Sequence, residues 1–133
     1  MKSVLDEISD IISWYQNQYS GAPIEQLMDA KSKLLTLAYR YAGEVADAKQ
    51  GAIEAANTRK ADFFTFKHRL IQEGHSGVES ESRAEVAVKA QRKHEAESEA
   101  LFFKSKQLLD IAIKVSEDIT QRISILKKER ENG

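Results

Sequence analysis

Residues 34–70 read LLTLAYRYAGEVADAKQGAIEAANTRKADFFTFKHRL. Leu34, Ala38, Tyr41, Val45, Ala48, Ala52 and Ala55 follow one another in alternating steps of four and three, the repeat that holds one seam of a helix against a partner helix. Alanine fills the second half of this seam, so a partner helix can approach closely there. Continuing the same steps brings Arg59 and Asp62 onto the seam. The apolar positions move instead to Ala56, Phe63, Phe66 and Leu70, which reads as a local break in register. Gly43 and Gly51 each cost ~1 kcal/mol relative to alanine in a helix interior, so this helix depends on its packing partner.

Working outward, the helical pattern extends over about 24–72. Before it, Ser20-Gly21-Ala22-Pro23 breaks the chain, with Pro23 suited to a first helical turn. Val4, Leu5, Ile8, Ile11, Ile12 and Tyr15 form an earlier amphipathic stripe, a short helix over about 3–19 with an acidic polar face. After the long helix, residues 73–81 read as a polar connection. Ser82 with Glu85 then has the spacing of a capping box that opens a last helix over about 82–130. Its expected seam is Ala84, Ala87, Gln91, His94, Ser98, Leu101, Ser105, Leu108, Ala112, Val115, Ile119, Ile123 and Leu126.

The fold class is therefore all-α: a long, coiled-coil-like antiparallel helical hairpin with a short N-terminal helix, one helical domain over 1–133. A chain of 133 residues that is 41% hydrophobic, with 16 of its apolar residues alanine, supports one modest core. Leu109, Ile111, Ile113 and Ile125 fall well off the main seam of the last helix. A second face must then be covered near the C-terminus, which predicts a homo-oligomer.

The charge is nearly balanced, 20 basic against 21 acidic residues, so function must lie in its placement. Residues 1–29 sum to −4, residues 59–72 to +3 and residues 83–94 to +3. A hairpin turning near Gly77 sets residue 60 roughly opposite 94 and residue 67 opposite 87, so the two basic segments meet. The first interleaves cations with rings: Arg59-Lys60-Ala61-Asp62-Phe63-Phe64-Thr65-Phe66-Lys67-His68-Arg69. Cations can follow a phosphate backbone while an exposed ring stacks on an unpaired base. The plainer reading is a solvated face paired to nearby acids, with Phe63 and Phe66 in the core. Phe64 lies on a different face and is the better ligand contact.

Other chemistries find no support in the pattern. The chain has no cysteine, which excludes disulfides, thiol nucleophiles and cysteine-ligated metals. None of the three histidines follows a glutamate at the spacing a di-iron bundle needs, and no phosphate-cradling glycine loop is present. His94, on the expected seam, reads as a packed, hydrogen-bonded histidine near solvent. No apolar run approaches a membrane span, and the acidic N-terminus is unlike a secretory leader. These observations predict a cytoplasmic non-enzyme without metal or cofactor.

Arg59-Lys60-Ala61-Asp62-Phe63-Phe64 resembles an element of the phage recombination mediators of the UvsY type, in which a basic stretch runs into aspartate and two aromatics. The serine–acid helix start Ser82–Glu85 is similar too. So are Leu101-Phe102-Phe103, Leu108-Leu109-Asp110, Ile119, Arg122 and Lys127 of the last helix. The resemblance covers residues 50–128, and phenylalanine stands here where the family has tyrosine. It implies an oligomer that binds single-stranded DNA, helps displace the single-strand-binding protein and loads a RecA-like recombinase, in host cytoplasm if phage-encoded. Under that resemblance, Arg59, Lys60, Phe64, Lys67, Arg69, Lys89, Arg92 and Lys93 contact the nucleic acid. Leu108, Leu109, Ile113, Ile119 and Ile123 form the oligomer interface. The rival reading is a helical adaptor, scaffold or chaperone for a protein partner.

Overall fold

A computed structural model describes residues 2–18 and 21–133. The end of the first helix expected at Tyr19, and Ser20 of the break, lie outside the described residues. The chain is all-α, with helices packed against one another in the order α1 (Val4–Gln18), α2 (Ile24–Gln72), α3 (Gly77–Ala87) and α4 (Lys89–Asn132). The helical domain expected over 1–133 is organised as two compact units, Met1–Val45 with Ser105–Gly133, and Ala46–Lys104.

In the first unit, Ser3 starts α1 by accepting the Asp6 amide at 3.1 Å, which satisfies one of the exposed N–H groups of the first turn. The stripe read from the sequence turns Ile8 and Tyr15 inward, and the Tyr15 hydroxyl donates to Asp118 on α4. Leu27, Leu34 and Tyr41 of α2 bury against the same interior as Ala112, Ile119 and Ile123 of α4. Glu25 and Arg130 pair at 3.2 Å across the outer end, which fixes α2 and α4 as antiparallel here.

In the second unit α2 closes on a Schellman motif. Gly74 adopts φ +96, its amide bonds to Ile71 and the His75 amide to Leu70, so the last carbonyls are satisfied and the chain reverses. Ser76 then caps α3 by accepting the Glu79 amide at 3.1 Å. The start expected at Ser82–Glu85 is thus six residues too late: Ser76-Gly77-Val78-Glu79 carries the same serine–acid spacing and takes the role. The connection shrinks to residues 73–76.

The last helix is also not continuous. Val88, at φ −98 and ψ 15, departs from helical geometry between α3 and α4, although hydrogen bonds run through it from Arg92 and to Ala84. Val88 is wholly buried while Ala87 is exposed. Beyond it the inward track runs through Gln91, Glu95, Ser98 and Phe102 in place of His94 and Leu101. The expected packing of His94 is corrected accordingly; it is an exposed residue.

The α2 seam, in contrast, does not break. Arg59 and Asp62 stay on it, half-buried, because α4 supplies a partner for each. Arg59 Nε meets Glu95 at 2.7 Å, and the Gln91 amide donates to Asp62 at 3.1 Å. Ala56, Phe63, Phe66 and Leu70 flank this polar stretch as half-buried residues rather than replacing it.

Candidate nucleic-acid interface

The basic segments of α2 and α4 do face each other in the second unit. The pairs Arg59–Glu95 and Asp62–Gln91 put residues whose numbers sum to 154 or 153 side by side, which centres the reversal near residue 77. Their side chains do not make one cationic surface. The Arg59 guanidinium reaches both Glu95 oxygens, at 2.7 and 3.3 Å, with both side chains less than a fifth exposed. Hydrogen bonding to Arg59 holds the Glu95 carboxyl below its ordinary value, and the same bond raises Arg59. Arg92 is likewise held by Glu85 at 2.6 Å. Arg59, expected at the phosphates, is engaged in a largely buried pair with Glu95, whereas Arg92 pairs with Glu85 through side chains 47% and 43% exposed, a contact that is readily exchanged.

The Arg59–Glu95 clamp gives the second unit a pH dependence. With its pKa depressed on folding, Glu95 stabilises the folded chain fully above the ordinary glutamate value of 4.5, and this contribution disappears as pH falls through the lower, folded value. In urea unfolding from pH 7 to pH 3, the wild-type midpoint should fall further than that of Glu95→Gln. Parallel curves would show that the clamp adds nothing.

Lys60, Phe64 and Lys67 share one face of α2 at i, i+4 and i+7. Phe64 is 64% exposed, and its ring is set edge-on against Phe63, centroids 5.4 Å apart. Neither lysine makes an ion pair among the described residues. Ile53 and Ile71, each 45% exposed, extend the same face at the same helical spacing. The sequence reading missed both, although i, i+7, i+11, i+14 and i+18 from Ile53 is a legible pattern. Arg69 lies over the Phe66 ring at 5.2 Å, on the other flank of the helix. Lys89 and Lys93 are exposed one turn apart on α4.

Of the expected oligomer residues, Ile119 and Ile123 are 0% and 8% exposed inside the first unit. They offer no surface to a second copy, which corrects that assignment. The steps of three and four from Ser116 through Ile119 to Ile123 simply continue the seam against α2. Leu108 and Leu109 are half-buried, and Ile113 remains exposed.

Among the described residues no group of three or more His, Cys, Asp or Glu is placed to hold a metal ion, and no helix is long and apolar enough to cross a membrane. Comparison with family models, curated proteins and solved structures gives no match to this chain.

Proposed function

We propose that this chain is a non-enzymatic accessory protein that binds single-stranded DNA through Lys60, Phe64 and Lys67 of α2, with Lys89 and Lys93 of α4 adding phosphate contacts. One observation carries the reading: an exposed ring stands between two lysines that make no ion pair among the described residues, on one helix face. A ring in that setting can stack on an unpaired base, worth about 1–3 kcal/mol, while the flanking cations hold the backbone. In duplex DNA the bases are already stacked, so the ring adds nothing. The likeness to phage recombination mediators extends the proposal to a homo-oligomer acting in the cytoplasm with a RecA-like recombinase and a single-strand-binding protein.

Fluorescence anisotropy of a labelled single strand, with a duplex control, tests this. Four lysine contacts predict a slope of about −3 for log affinity against log salt, since each contact to a single strand contributes about −0.7. Equal affinity for duplex and single strand would remove the stacking argument. No binding at low salt would favour the second reading, a helical adaptor for a protein partner, which the exposed Val86, Leu101 and Phe103 of the same unit support.

A further inference from the structure

We infer that the cleft between α1 and α2 in the first unit receives the Lys60–Phe64–Lys67 stripe of a second copy of this chain. The cleft has a volume of about 570 Å³ and is lined by Ile11, Trp14, Asp10, Glu25, Asp29 and Lys33. A neighbouring hollow of about 520 Å³ shares Asp10, Ile11 and Lys33 and adds Glu7 and Lys2. Its floor is thus apolar and aromatic, and its rim carries carboxylates.

The stripe is the complement of this surface. It offers exposed apolar groups, Phe64 and Ile71, with Lys60 and Lys67 about 10.5 Å apart along the helix at 1.5 Å per residue. The two hollows together carry four carboxylates, Glu7, Asp10, Glu25 and Asp29, against Lys2 and Lys33, a net of −2, and residues 59–72 sum to +3. The rim carboxylates do have partners within their own chain. Those pairs, Lys2–Asp10, Lys33–Asp29 and Arg130–Glu25, join side chains 56–72% exposed, and exposed pairs of this kind are readily exchanged. Like-charged surfaces would repel; these attract, and each covers apolar area that the other leaves open.

Such a contact is heterologous. Every copy carries one cleft and one stripe, so association runs head to tail and does not stop at two. It also sets self-association and nucleic acid in competition for the same lysines.

Light scattering in the absence of nucleic acid tests the contact independently of the DNA-binding reading. At tens of micromolar and low salt, the mass should rise with concentration above the 15.0 kDa of one chain, and return to it in high salt. Asp10→Asn with Asp29→Asn removes the rim charge, and Lys60→Glu with Lys67→Glu reverses the stripe. Each variant alone should stay at the mass of one chain. Mixed, they retain one intact cleft and one intact stripe between them, and should form a 1:1 pair of twice that mass and nothing larger. Trp14, the chain's single tryptophan, reports the same event: its emission should shift when the mixture forms and not in either variant alone. A wild type that remains at 15.0 kDa, variants that still assemble, or a mixture that stays monomeric would each overturn the inference. Loss of assembly in the Asp10→Asn, Asp29→Asn variant with single-strand binding intact would leave the DNA-binding reading standing on its own.

Discussion

Ile119→Ala should destabilise the folded chain by about 2–5 kcal/mol, the usual cost of truncating a fully buried aliphatic side chain and leaving a cavity. Ile119 has no exposed surface, and it packs in the unit that also buries Leu27 and Leu34. Small domains are stable by only about 5–15 kcal/mol, so one such change removes a large share of the total. Ile113→Ala is the matched control. That side chain is 41% exposed, and its truncation should cost about 1 kcal/mol or less. Urea unfolding of both variants at one protein concentration separates the cases. If Ile119→Ala changed the assembled mass but barely moved the unfolding midpoint, Ile119 would belong to an interface between copies rather than to the core.

Ile119 also shows where a sequence stops informing. Its helical spacing marks an apolar seam correctly, but the pattern does not say whether α2 of the same chain or a second copy lies against it. The α2 seam from Leu34 to Ala55 was legible because successive core positions depend on spacing alone. Arg59 and Asp62 were not. A cation and an acid in a seam look like a register break until Glu95 and Gln91 are known to sit across from them, and those lie over twenty-five residues away in the chain. The same missing information hid the acid partner that Arg59 and Arg92 each have. At the turn, Ser76–Glu79 and Ser82–Glu85 offer equivalent caps, and the choice rests on where Gly74 can take positive φ to end α2. No glycine or proline marks Val88, so the one-residue displacement of the α4 track had no local signal.

Lys60→Glu with Lys67→Glu should weaken single-strand binding roughly a hundredfold, two contacts at about tenfold each, and flatten the salt slope by about 1.4. Both side chains lie outside the seam, so helicity and the urea midpoint should hold. Phe64→Ala should separate the other half of the argument. It removes the stacking platform and no charge, so affinity should fall by about 1–3 kcal/mol with the slope unchanged. Arg59→Glu is the instructive contrast: it sets a second carboxylate against Glu95 in a half-buried seam, and should lower stability as well as any binding. A loss of affinity seen with Arg59→Glu alone would therefore report damage to the α2–α4 contact. Only the pattern in which the two lysines change the slope, Phe64 changes affinity without it, and neither changes folding assigns the contact to this face of α2. Unchanged affinity in both the double-lysine and Phe64 variants would move the nucleic-acid contact elsewhere and leave Ile53, Phe64 and Ile71 as an apolar face for a protein partner.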